Sequence, residues 1–180
     1  EEVTKEDRRA AKAINFGIIY GMGPVRLARE IGISRGQAQQ YISSYFARLG
    51  DVRSFLDSVK EGAKARGYVE TILGRKRYLP DLRSRNHRIR SMAERMAVNT
   101  PIQGSAADIM KLAMIRCQER IEEDHMDVKM VLQVHDELVF EVPEERADAF
   151  AALVKEEMET VMPLKVPLVV DARVGRSWTF

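Results

Sequence analysis

Arg8, Lys12, Phe16 and Tyr20 recur every four residues in "RRAAKAINFGIIYG". On a helix each four-residue step drifts by about 40°, so the four side chains fall within a stripe about 120° wide. Two long cations a turn apart can grip adjacent phosphates, and rings farther along can stack on a base or a sugar. The same spacing also fits solvated cations above two core aromatics, and spacing alone leaves both readings open. A second row, Arg95, Asn99 and Gln103 in "ERMAVNTPIQGSAAD", repeats at the same interval. Arg brings five donors, and Asn and Gln bring donors and acceptors, so the row could track groove acceptors and sugar oxygens along a duplex. It could equally cap or bridge the break at Pro101.

The third group, His135, Asp136 and Glu137, interrupts the apolar run "VLQVHDELVFEV". A carboxylate at the tip of a stiff hairpin is a good ligand for Mg²⁺, a hard ion that prefers oxygen and keeps several waters. Neighbours on a strand point to opposite faces, so Asp136 and Glu137 are not expected to chelate one ion together. A plain polar turn accounts for the three residues equally well. No second carboxylate stands at partner spacing: Asp108 falls mid-helix and Asp171 leads into the last expected strand.

The elements that must carry these groups follow from caps and periods. Thr4, with Asp7 three residues on, opens a helix to about Tyr20, closed by Gly21, Gly23 and Pro24. "VRLAREIG" is a short helix, Ser34 caps the next, with Tyr41, Tyr45 and Leu49 at helical spacing, and Asp51 caps a fourth that Gly67 closes. "YVETILGRKRYLP" reads as a hairpin around Leu73-Gly74. A helix from about Arg88 to Asn99 meets Pro101, and another continues to about Asp124. "VKMVLQV" and "ELVFEV" pair around His135-Asp136, "EERADAFAALVKEEMETV" is helical, and "PLVVDARV" is a final strand. The expected class is α+β, with a helical part over residues 1–67 and a part over 68–180 built on a small antiparallel sheet backed by helices.

Bulk composition narrows the function classes. A folded chain of 180 residues can bury roughly 70% of its unfolded surface. With 45% hydrophobic and 31% charged residues and no apolar run of membrane-spanning length, it reads as a soluble globular protein without a membrane partner. One cysteine, Cys117, excludes an internal disulfide, reads as a small buried apolar residue, and suits a reducing compartment. The net charge of +2 is unevenly spread: from Arg75 to Arg95, eight Lys/Arg stand against two acids, a local +6, while residues 119–159 are acidic. That asymmetry suits a polyanion held by one face, or simply solvated helix and hairpin faces. The start at Glu1, already close to helix and without a secretory pattern, reads as a cut from something longer.

Together the stretches resemble family A DNA polymerases of the bacterial polymerase I type. "RRAAKAINFGIIYGMG" is similar to the fingers-helix signature and "LQVHDELVFEVP" to the palm signature around His-Asp-Glu; "GYVETILGRKRYLPDL" and "AERMAVNTPIQGSAADIMKLAM" match between them, in order. The resemblance implies that Arg8 and Lys12 bind the triphosphate of an incoming deoxynucleotide, Phe16 packs by its sugar and Tyr20 stacks near the templating base. It gives Arg95, Asn99 and Gln103 to the minor groove of primer–template DNA, His135 to the primer end, Asp136 to the metal and Glu137 to a supporting role. Phe rather than Tyr at position 16 implies stronger rejection of nucleotides lacking a 3′-hydroxyl. The chemistry implied is a two-Mg²⁺ nucleotidyl transfer, in a cytoplasmic enzyme of bacterial or phage origin.

One departure matters. The earlier palm signature, resembling Asp-Tyr-Ser-Gln-Ile-Glu and supplying the other metal-binding Asp, does not occur in these residues. The expectation is a C-terminal fingers and palm segment, inactive alone, that works with an earlier palm and thumb in the same or another polypeptide. The rivals are a non-catalytic nucleic-acid-binding remnant and a metal-dependent phosphodiesterase built on His135, Asp136 and Glu137.

Overall fold

The computed structural model describes residues 3–178. They form two compact units that divide between Gly104 and Ser105. The expected boundary at 67/68 falls inside the first.

The first unit opens with four helices: α1 (Lys5–Ile19), α2 (Pro24–Ile31), α3 (Arg35–Arg48) and α4 (Gly50–Arg66). Two start as capping signals dictate: Thr4 and Asp7, and Ser34 and Gln37, exchange reciprocal side-chain and backbone hydrogen bonds. Thr4 donates to and orients Asp7, whose carboxyl is held below its ordinary pKa by the Thr4 side-chain and then backbone hydrogen bonds. The fourth helix departs from expectation. Asp51 is not its cap; Leu49 ends α3 and begins α4 with no side-chain cap, because one helix turns directly into the next. Asp51 instead lies in the first turn, where a carboxylate complements the helix dipole. Tyr41 and Leu49 of the expected apolar stripe are exposed.

A hairpin follows, β1 (Tyr68–Glu70) against β2 (Lys76–Tyr78), with Gly74 at φ 79 where a side chain would be strained. A 3₁₀ turn (Pro80–Arg83) leads into α5 (His87–Asn99), which Asn86 caps. Ala63 of α4 and Ala93 and Ala97 of α5 are fully buried with Val69, Leu79 and Leu82, so small side chains bring backbones close around this core.

Pro101 does not break the chain into two helices with a coil between. Thr100–Gly104 winds as a π-helix instead. Proline lacks the N–H and its ring crowds the carbonyl four residues back, and the wider turn relieves that conflict while helical winding continues.

The second unit contains α6 (Ser105–Glu123), the hairpin β3 (Lys129–Val134) and β4 (Glu137–Glu141), a 3₁₀ turn (Glu144–Arg146) and α7 (Ala147–Glu159). Cys117, Ile121, Val128, Phe150 and Val154 form its core, and Phe140 meets Phe150 edge-on at 5.2 Å between centroids. Burial, then the negative charge of Glu157, pushes the Cys117 thiol up to about 11 against a smaller opposing effect of Arg116.

The class is α+β as expected, but with two separate two-stranded sheets among the described residues. The expected final strand at 167–174 is not formed. Apolar alternation at Leu168, Val170, Ala172 and Val174 specifies which face of a strand would be apolar, not whether a neighbour offers a ladder; Val166, Val169 and Val174 lie exposed in an irregular segment, tied by the Val170 N–H to Glu159 Oε1 at 2.8 Å.

Candidate nucleotide and nucleic-acid site

Three of the four residues meet in a row, Lys12 and Phe16 on α1 and Tyr20 at its C-cap. Lys12 Nζ lies 6.0 Å from the Phe16 ring centroid, and Phe16 stacks on Tyr20 at 6.2 Å with planes inclined by 21°. Phe16 is 52% exposed, so its ring is not core. Arg8, also exposed, donates its backbone N–H to Thr4 at 3.1 Å, placing it at the end of the first turn that the Thr4–Asp7 cap holds.

Two glycines shape what lies beside this stripe. The Met22 N–H donates to the Gly17 carbonyl at 2.7 Å, and a Cβ on Gly17 would meet Met22 Cε at 2.9 Å, so a side chain at residue 17 would have to displace the end of the Met22 thioether where the chain folds back on α1. Gly21, at φ 78, would meet Arg95 Cγ at 3.2 Å. The turn after Tyr20 therefore packs on Arg95 of α5. The result is a cavity of about 440 Å³ lined by Lys12, Phe16, Tyr20 and Arg95, with Arg9 of α1 and Arg26 of α2 at its walls. Arg8 is not part of that lining.

Arg95 and Asn99 sit on α5, whereas Gln103 lies exposed in the π-helical stretch, where wider winding changes the direction a four-residue spacing would give it. Asn99 Oδ1 is buried and meets no donor among the described residues. The stretch is held from the β1–β2 hairpin. The Arg75 guanidinium donates to the Gly104 carbonyl at 3.1 Å, and Arg77 donates to Thr100 Oγ1 at 3.5 Å and to Met96 Sδ at 3.2 Å. Thr71 Oγ1 accepts the Arg75 N–H at 3.2 Å, and its methyl fills the space a Cβ on Gly104 would need.

In the second unit His135 and Asp136 form the two-residue turn of the β3–β4 hairpin. His135 has φ 53, a left-handed conformation that costs a non-glycine residue free energy, and Gln133 Nε2 supports it by donating to the His135 carbonyl at 2.7 Å. His135, Asp136 and Glu137 are all exposed. Among the described residues no cluster of three or more His, Cys, Asp or Glu could hold a metal ion. The donor set fits Mg²⁺ through Asp136 alone: one exposed carboxylate on a stiff turn suits an ion that takes one or two carboxylates plus waters and phosphates.

The sequence matches the family model described as DNA polymerase family A over residues 1–180. The chain belongs to DNA polymerase family A. Within family A it is 49% identical over 178 residues to DNA polymerase I of Bacillus caldotenax and 53% identical over 171 residues to the thermostable DNA polymerase I of Thermus aquaticus. These matches cover 99% and 95% of the chain but 20% of each relative, so the chain spans about a fifth of their length. A solved structure, the POL domain of Pol1 from M. smegmatis in complex with DNA primer-template and dNTP, superposes with a TM-score of 0.93 at 47% identity, covering 98% of this chain and 31% of that one.

Arg9 and Arg26 at the cavity wall, and Thr71 beneath the π-helical stretch, are not residues that the spacing singled out, whereas Arg75 and Arg77, which hold that stretch, had entered only as part of the basic run from Arg75 to Arg95. Arg9 adjoins the stripe and could have been noticed. Arg26 on α2 had no local signal, and Arg75 finds its carbonyl 29 residues away. Among the described residues no helix is long and apolar enough to cross a membrane.

Proposed function

We propose that this chain is the C-terminal fingers and palm part of a template-directed DNA polymerase, with residues 1–67 acting as fingers and 68–180 as palm. The observation that carries this is the cavity in which a cation (Lys12), a stacked aromatic pair (Phe16 and Tyr20) and Arg95 converge. A cation beside stacked rings suits a triphosphate with its sugar and base, and a solvated charge or a core aromatic would need no such arrangement. The solved relative that binds primer-template and dNTP supports it.

Arg8 and Lys12 would hold the triphosphate of the incoming deoxynucleotide, Phe16 its sugar, and Tyr20 the neighbourhood of the templating base. Arg95, Asn99 and Gln103 would follow the minor groove, and His135 would lie by the primer end. Asp136 would hold Mg²⁺, with Glu137 supporting and the partner carboxylate outside this chain. Bound Mg²⁺ supplies a lowered pKa at the primer 3′-hydroxyl and neutralises phosphate charge. The primer 3′-hydroxyl would release its proton to water as its oxygen bonds to the α-phosphorus, the bond from that phosphorus to the bridging oxygen of the β-phosphate would break, and Lys12 would offset the charge on departing pyrophosphate and can give it a proton. The remainder of the polymerase, in the same or another polypeptide, completes the site, and the setting is a bacterial or phage cytoplasm.

Steady-state kinetics of the complete polymerase test the assignment. Arg8→Ala and Lys12→Ala each lower kcat/KM for the nucleotide about 10- to 100-fold, the range for losing a charge-assisted hydrogen bond, whereas Arg95→Ala acts mainly on primer–template handling. Three equal losses in DNA affinity with nucleotide KM unchanged would overturn it in favour of a binding remnant. Release of nucleotides from DNA without triphosphates would favour the phosphodiesterase.

A further inference from the structure

The β1–β2 hairpin has two unlike faces. Val69 is buried, and on the same side Arg77 reaches Thr100 and Met96. The alternate positions face outward: Tyr68 opposite Tyr78 and Glu70 opposite Lys76. The two tyrosine rings lie 5.6 Å apart, inclined by 57°. Lys76 Nζ is 4.8 Å and Arg66 Cζ 5.4 Å from the Tyr68 ring centroid. Tyr78 is 70% exposed.

This face has no role in the nucleotide site described above, and its composition is specific. The cations occupy Tyr68, leaving Tyr78 as the open ring, and they stand within one nucleotide's reach of it. A buried protein partner would gain little from two cations at this spot, because their hydration would be lost and, among the described residues, only Glu70, 4.0 Å from Lys76, would offset one of them. An unpaired strand satisfies both features: a base stacks on a tyrosine, and its phosphates meet Lys76 and Arg66 while water remains. The surrounding run from Arg75 to Arg95, with eight cations and two acids, supplies the matching field.

We infer that the outer face of the β1–β2 hairpin binds single-stranded DNA, Tyr78 stacking an unpaired base and Lys76 and Arg66 holding its phosphates. In the context of the proposed polymerase, that strand is the template beyond the duplex. The inference rests on the polymerase reading only for the identity of the strand.

The test compares, in the complete polymerase, the Kd of a primer–template with a long single-stranded template overhang and of one with a single-nucleotide overhang. Tyr78→Ala weakens the long-overhang complex about fivefold or more and leaves the short one unchanged, while Tyr78→Phe keeps both. Lys76→Ala lowers the salt dependence of the long-overhang complex by about one phosphate contact. Equal weakening of both substrates, or of neither, overturns the inference. So does a lowered Tm in Tyr78→Ala with unchanged overhang preference, which would mean that the rest of the polypeptide covers the ring. Failure of the polymerase reading shows separately, as loss of the nucleotide KM effects at Arg8 and Lys12.

Discussion

Phe16 stacks on Tyr20 with ring centroids 6.2 Å apart, and more than half of the Phe16 side chain stays open to solvent. A stacked pair with one ring open to solvent leaves an aromatic face free to meet a ligand. The pair's position beside Lys12 and along one cavity wall is the link between the α1 sequence and its proposed function.

Phe16→Ala is therefore expected to change folding stability by less than about 1 kcal/mol, since little burial is lost. The same substitution should raise nucleotide KM about tenfold or more in the complete polymerase. Chemical denaturation beside nucleotide titration checks both, and a large stability loss with unchanged KM would return Phe16 to the core. Phe16→Tyr should lower discrimination against nucleotides lacking a 3′-hydroxyl.

Gly104 is the second point of leverage. A Cβ there would lie 2.7 Å from Thr71 Cγ2, so Gly104→Ala should cost about 1–3 kcal/mol by overpacking. Thr71→Ser removes the obstructing methyl but keeps the hydroxyl that accepts the Arg75 N–H. The double variant Thr71→Ser/Gly104→Ala should recover most of the loss in thermal unfolding. Additive losses would mean that the π-helical stretch is not held in this way.

The alkaline limb of stability should report on Cys117. Its folded pKa, about 11, lies above the ordinary 9.0, so between those values the folded state keeps a proton that the unfolded state has released. The stabilisation is fully present below about pH 9 and is lost as pH rises toward 11. A loss of about 2–3 kcal/mol across that window follows from the size of the shift. Cys117→Ala should remove this limb while other groups' pH dependence persists; an identical alkaline profile in both proteins would contradict the placement of Cys117 in the core.

Much of this was legible in the sequence because the signals are local. Thr4 with Asp7 and Ser34 with Gln37 specify helix starts through bonds closed within three residues, and the stripe from Arg8 to Tyr20 needs only helical winding. The His135-Asp136 turn was readable from the apolar runs that flank it. What escaped depends on how neighbouring elements end or on partners far along the chain. A strand at 167–174 requires a neighbouring ladder, the start of α4 requires knowing how α3 ends, and the winding at Pro101 is supported by Arg75 and Thr71 from another element.

The central claim is that Asp136 serves nucleotidyl transfer from the tip of its hairpin. Single-turnover primer extension by the complete polymerase carrying Asp136→Ala, with primer–template Kd measured on the same protein, tests it most directly. A fall of several orders of magnitude in the extension rate with DNA affinity nearly unchanged is the predicted result. An extension rate close to that of the unaltered protein would contradict the claim and leave the chain as a nucleic-acid-binding segment without a catalytic role.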